Sequence, residues 1–173
     1  MVTYKDTADI KEKLAGELDW ADCVVAGPGL SKSDTAKEIV AEMIAYQPKR
    51  EKRLPVLLDA DALNIIAENR KLLSGIAENE GSSKQYVYTP HMGEAARLSG
   101  KSIAQLKETS CESAKELAQK LCGVCVLKDA ATVVSDGSRI YINTSGNSGM
   151  STAGAGDTLT GILAGSVLAG RTQ

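Results

Sequence analysis

Apolar residues recur at four-residue spacing at Ile10, Leu14 and Leu18, which predicts an amphipathic helix over 9–19. The run Cys23-Val24-Val25-Ala26 that follows is continuous and stops at Gly27-Pro28-Gly29, so a short buried strand over 22–26 feeding a glycine turn is expected. Ser33 and Asp34 are suitable caps for a helix carrying Ile39, Val40, Met43 and Ile44, and the apolar run 55–59 reads as a buried strand. The alternation repeats. A helix is predicted over 63–76, a strand over 86–89, a helix through Ala114, Leu117, Ala118 and Leu121, and a strand over 124–127. Strands that are apolar throughout and alternate with helices indicate a parallel sheet covered on both faces. Near the end the order changes: 131–135 and 139–143 are β-rich and flank Asp136-Gly137, predicting an antiparallel edge hairpin. The chain from 144 to 156 is small, polar and rich in glycine, and it feeds an apolar helix over 158–169.

At 173 residues the chain has room for one domain, 1–173, on an allowance of about 150 residues each. Twenty Lys+Arg against 22 Asp+Glu give a net charge of −2, and six aromatic residues offer few stacking platforms, which argues against a nucleic-acid reader. The lack of an apolar leader at the start or of an 18-residue apolar run argues against a membrane partner and gives a cytoplasmic expectation. His91 is the only histidine, which excludes sites built on two or three imidazoles. Cys122-Gly123-Val124-Cys125 has redox or zinc spacing but no second pair; the expected arrangement is Cys122 ending a helix, Gly123 capping it and Cys125 starting a strand.

The stretch Gly154-Ala155-Gly156-Asp157 carries the most chemistry. Its glycines let a ligand approach the backbone, and the unpaired N–H groups and positive end of the following helix favour phosphate oxygens. Asp157 sits at that same end, where its charge opposes a phosphoryl group, so accepting a proton from an attacking hydroxyl is the role that fits it. Capping the helix is the plainer alternative. The segment is neither a Walker loop, which needs Gly-Lys-Ser/Thr, nor a GxGxxG turn.

Four other segments join it in order: Gly27-Pro28-Gly29-Leu30, Leu58-Asp59-Ala60-Asp61-Ala62-Leu63-Asn64, Thr89-Pro90-His91-Met92-Gly93-Glu94 and Val126-Leu127-Lys128, with Gly146-Asn147-Ser148-Gly149-Met150 leading to the last. With these motifs the chain resembles the ribokinase-like superfamily, and within it the ADP- or ATP-dependent NAD(P)H-hydrate dehydratase family. The resemblance implies a three-layer α/β sandwich and repair of hydrated NADH and NADPH, using an adenine nucleotide and Mg²⁺ to activate the hydroxyl by phosphoryl transfer before its elimination. It implies Asp157 as catalytic base. It also implies a nucleotide site from Lys128, Asp129, Ala130, Ala131 and Thr132 with Gly154, Ala155 and Gly156. Gly29 and His91 would line the hydrated-cofactor pocket, with Asn64 and Asn147 as further substrate contacts on the family pattern alone. Glu94 would stand near phosphates and metal-bound water, or simply cap a helix. Asp59 and Asp61 are read as organising a cation or holding their loop by hydrogen bonds.

The chain departs from the family pattern at Ser31 and Asp129, where glycine is usual, and at Ala155, where serine is frequent. Asp129 adds a negative charge beside the phosphate site. The family pattern extends past both ends of the matched region, so an incomplete sandwich with one sheet face partly uncovered is expected, and with it association into a homo-oligomer. Two other functions stay open at this point: a small-molecule kinase of the same superfamily acting on a vitamin precursor or sugar, and a nucleotide-binding module without turnover.

Overall fold

The computed structural model describes residues 7–46, 54–78, 84–147, 149 and 152–170. Its helices are α1 (Thr7–Trp20), α2 (Asp34–Ala45), α3 (Ala60–Glu68), α4 (Arg70–Glu78), α5 (Met92–Ser99), α6 (Ile103–Glu108), α7 (Ser110–Lys120) and α8 (Ala155–Ala169). Its strands are β1 (Val24–Ala26), β2 (Leu54–Leu58), β3 (Lys84–Tyr88), β4 (Gly123–Leu127), β5 (Thr132–Ser135) and β6 (Ile140–Asn143). They form one sheet in sequential order; β1 to β4 are parallel, and β5 and β6 add antiparallel at the edge.

Right-handed crossovers that all step in one direction place their helices on one face. That face holds the main core, where Val56, Leu58, Tyr88, Cys125 and Leu127 of the strands meet Val40, Ile44, Ile66, Leu98 and Leu117 of the helices. On the opposite face α8 lays Leu163 and Ala164 on Leu57, Val87 and Val126, completing three layers. Two residues of this face, at the flanks, stay exposed. Val25, the register partner of Leu57, is 45% exposed, and Tyr141, opposite Val134, is 64% exposed. The expected three-layer sandwich with an antiparallel edge is therefore observed.

Three expectations are corrected locally. The helix predicted over 63–76 is two, because Asn69 ends α3 and turns its side chain to accept the N–H of Lys71 at 3.1 Å; both halves still bury their apolar stripe through Ile66, Leu72 and Ile76. The edge hairpin turns through four residues, because Ser135 pairs with Ile140 and Asp136 accepts the N–H groups of Ser138 and Arg139 at 2.9 and 2.7 Å. Gly123 does not cap α7: Leu121 does, Cys122 takes the left-handed conformation with φ 46°, and Gly123 opens β4. What requires glycine there is space, since a Cβ would lie 2.6 Å from the Tyr86 carbonyl oxygen and 2.8 Å from the Tyr88 ring. Cys125 is mid-strand and buried, and burial pushes its thiol up to about 12, so the CxxC spacing is structural. Helices α5 and α6 lie between the elements predicted by periodicity and are marked by capping boxes at His91 and Ser102.

Candidate active site

The carboxyl ends of parallel strands are where open α/β sheets receive ligands, and here β1 to β4 bring four of the motifs to one edge. After β1 the chain turns at Gly27 with φ 126°, and a Cβ at that position would lie 1.7 Å from the Asp59 carbonyl oxygen. The turn is thus pressed onto the end of β2, where the Asp59 N–H donates to the Ala26 carbonyl at 3.1 Å. Ser31, in a left-handed conformation at φ 65°, donates its N–H to Asp61 Oδ2 at 2.9 Å. Ala60 between the two aspartates has φ 46°, a conformation L-residues avoid, and it separates their directions: Asp61 holds the glycine turn while Asp59 faces the opposite layer.

Asp59 is buried and both its oxygens are engaged. Oδ1 accepts from Lys128 Nζ at 2.9 Å, and Oδ2 accepts from Thr160 Oγ1 at 3.1 Å. Lys128 follows β4 and is anchored through its N–H to the Pro90 carbonyl at 2.8 Å, forming a bridge with His91. The hydroxyl of Thr89, fully buried at the end of β3, has no hydrogen-bond partner.

His91 and Glu94 open α5 as a reciprocal cap. His91 Nδ1 accepts the Gly93 N–H at 2.9 Å, which leaves the ring proton on Nε2, 3.4 Å from Glu94 Oε1; Glu94 Oε2 accepts the His91 N–H at 2.9 Å. Burial raises the Glu94 carboxyl above its usual range, and the His91 N–H and the Lys128 charge hold part of that rise back. The capping role weighed for Glu94 is the one its carboxylate performs here. The His91 ring itself stays largely exposed.

Helix α8 begins at Gly154, which takes φ 82° as its N-cap and has nothing within 4 Å of a built Cβ. In this first turn the Ala155 N–H donates to the Thr152 carbonyl at 3.2 Å and the Thr158 N–H to the Gly154 carbonyl at 2.9 Å, which leaves the N–H groups of Gly156 and Asp157 as donors at the partially positive helix end. A Cβ on Gly156 would sit 3.8 Å from Asp59 Oδ2 and 3.9 Å from Lys128 Nζ, so the bare backbone lies directly over the ion pair. Asp157 is exposed, and among the described residues no group pairs with its carboxylate. Anion donors, a cation and an uncommitted carboxylate thus share one edge of the sheet.

The other candidate residues sort by what already holds them. Asn64 Oδ1 accepts from Arg97 Nε at 2.8 Å, tying α3 to α5, and Asn147 Oδ1 accepts the Gly149 N–H at 2.9 Å in a turn. Gly29 is exposed with φ 66°. Asp129, Ala130 and Ala131 are exposed and lead into Thr132 at the start of β5; Ala155 opens α8. Ser148 and Met150 lie outside the described residues. Thr160 was not singled out by sequence, since a threonine inside an apolar helix carries no spacing that marks it, and Thr89 entered only as the first residue of its motif, without a role of its own.

The residues fit an oxyanion ligand, since the bare Gly154–Gly156 turn lies beside the Lys128 ammonium, whose pairing with Asp59 Oδ1 uses one of its three N–H donors. Among the described residues no three acidic, histidine or cysteine side chains cluster as a metal cage. Mg²⁺ seldom requires one, keeping several waters and riding on substrate phosphates with one or two carboxylates nearby, a role open to Glu94 through water.

The family model described as NAD(P)H-hydrate dehydratase matches residues 1–172. The chain is 38% identical over 168 residues to the ADP-dependent (S)-NAD(P)H-hydrate dehydratase of Neisseria meningitidis, covering 95% of this chain and 51% of that one. With the bifunctional NAD(P)H-hydrate repair enzyme of Moorella thermoacetica it shares 39% identity over 159 residues, 91% of this chain and 28% of that one. Among solved structures it resembles a ribokinase-like superfamily protein of Enterococcus faecalis (TM-score 0.73, 29% identity, 94% of this chain and 52% of that one). It also resembles the Bacillus subtilis ADP/ATP-dependent NAD(P)H-hydrate dehydratase co-crystallized with ATP/Mg²⁺ (TM-score 0.68, 27% identity, 91% and 52%). The chain therefore spans about half the length, or less, of the proteins it matches. With the family model matching residues 1–172 and the expected motifs lying in order from Gly27 to Asp157, this chain belongs to the NAD(P)H-hydrate dehydratase family.

Proposed function

We infer that this protein takes part in the dehydration of hydrated NADH and NADPH at the expense of ADP or ATP. The observation that carries the reading is the uncommitted Asp157 carboxylate in the first turn of α8, next to a glycine-lined anion site that includes Lys128. Phosphate leaves a carbon far more readily than hydroxide, so moving a phosphoryl group onto the ring hydroxyl makes the elimination feasible. Asp157 removes the hydroxyl proton as the oxygen attacks phosphorus. The α8 N–H groups and the Lys128 ammonium stabilise the charge spread over the phosphoryl oxygens, and Gly154 and Gly156 keep that approach open. Bound Mg²⁺ supplies neutralisation of the nucleotide's phosphates. The nucleotide departs as AMP from ADP or as ADP from ATP, and elimination then breaks the ring C–O bond, releasing phosphate with loss of a proton from the adjoining ring carbon to water and restoring the reduced ring. On this reading 128–132 contacts the nucleotide, while Gly29, His91, Asn64 and Asn147 face the hydrated cofactor.

Cytoplasmic action and a homo-oligomeric state belong to the same proposal. The first is in keeping with the finding that no helix among the described residues is long and apolar enough to cross a membrane, and the second with the exposed Val25 and Tyr141. Light scattering checks the oligomer. Activity is tested by incubating the protein with hydrated NADH, Mg²⁺ and ADP or ATP: recovery of the reduced-nicotinamide absorbance supports the proposal. A stable phosphorylated product without recovery indicates a kinase instead, and nucleotide binding without any turnover indicates a binding module.

A further inference from the structure

We propose that Asp59 is a positioning residue that fixes the Lys128 cation against the first turn of α8 before any ligand arrives. The inference rests on the nucleotide reading of that site and adds a residue to it. Three parts of the chain far apart in sequence converge on one buried carboxylate: Lys128 just after β4, Thr160 from α8 and the end of β2 itself. The Lys128 side chain is 23% exposed and that of Asp59 4% exposed, so the carboxylate is shielded while the lysine keeps partial exposure, and the Gly156 backbone lies over the pair. The Thr160 hydroxyl has one proton and two acceptors, the Gly156 carbonyl at 2.9 Å and Asp59 Oδ2 at 3.1 Å, so it couples the aspartate to the turn that carries the anion donors. A long lysine stem loses much rotamer freedom when its head is fixed. Asp59 imposes that loss during folding, so a bound phosphate does not have to. The Gly27 turn pressing on the Asp59 carbonyl fixes the aspartate in turn.

The test measures Lys128 directly. The acetylation rate of its amine is followed by peptide mass spectrometry, and affinity for ADP and for inorganic pyrophosphate by calorimetry, in the wild type, Asp59→Asn, Thr160→Val and Thr160→Ser. Asp59→Asn is expected to speed Lys128 acetylation about fivefold or more and, the lost placement of the cation outweighing the gain from removing a carboxylate charge, to weaken both ligands about tenfold. Thr160→Val is expected to move both readouts in the same direction by about threefold, and Thr160→Ser, which keeps the hydroxyl, to restore them. Unchanged acetylation in a folded Asp59→Asn overturns the proposal. Should Asp59→Asn not fold, Thr160→Val decides, and its matching Thr160→Ser overturns the proposal equally. Wild-type protein that binds neither ADP nor pyrophosphate refutes the nucleotide reading, whereas the acetylation rates still report whether Asp59 places the cation.

Discussion

Gly27→Ala concentrates its whole effect on one contact. The glycine has φ 126°, outside the regions open to L-residues, and an added Cβ would fall 1.7 Å from the Asp59 carbonyl oxygen and 2.7 Å from its carbon, both backbone atoms that cannot rotate away. Forcing such a conformation costs about 1–3 kcal/mol, and overpacking adds about 1–3 kcal/mol, for a central value of about 4 kcal/mol. In a domain of this size that lowers the Tm by about 8–16 °C. Gly29→Ala is the control. Two residues on, its φ is 66° and nothing lies within 4 Å of a built Cβ, so only the left-handed penalty of about 1–2 kcal/mol applies, a Tm loss of about 2–8 °C. Urea and thermal unfolding, with the slope checked for constancy, separate the two. Equal losses in the two variants would refute the argument that the turn is pressed onto β2.

Cys122→Gly relieves a left-handed residue at φ 46° and is expected to stabilise the fold by about 0.5–1 kcal/mol, read as a raised urea midpoint. Glu94→Gln is expected to flatten part of the pH dependence of stability. Because burial raises the Glu94 carboxyl, the folded state holds a proton that the unfolded chain releases, so its contribution is fully present below the ordinary value of 4.5 and is lost as pH rises through the raised one. Melting curves taken from acid to neutral pH should therefore fall less steeply in Glu94→Gln; parallel curves contradict the assignment.

What the sequence showed and what it hid divide along the range of the interactions. Ser33 announced α2 because a cap acts within its own turn, accepting the Ala36 N–H at 3.2 Å. Gly154 marked the start of α8 for the same reason: its left-handed conformation acts where it stands. The links from Asp59 to Lys128 and Thr160 span 69 and 101 residues and leave no periodic trace, so the hub of the site emerged only from the fold. Glu94 matched a family position near phosphates, yet its carboxylate is also a helix cap, a local role that its spacing from His91 equally allows. Gly123 was misread because glycine at a helix end most often answers a left-handed angle, whereas here the Tyr86 backbone and the Tyr88 ring leave no room for a side chain. Asn69 broke a continuous apolar stripe that periodicity alone reads as one helix.

The central claim is that the α8 turn with Lys128 binds phosphate while Asp157 moves the proton, so the decisive measurement compares ADP affinity and turnover of hydrated NADH in the wild type and Asp157→Asn. The account predicts that Asp157→Asn binds ADP as tightly as the wild type, or somewhat more tightly once the carboxylate charge is gone, and loses about 10²–10⁴ in rate. Turnover unchanged in Asp157→Asn, or a loss of ADP binding that accounts for the whole loss of rate, would contradict it.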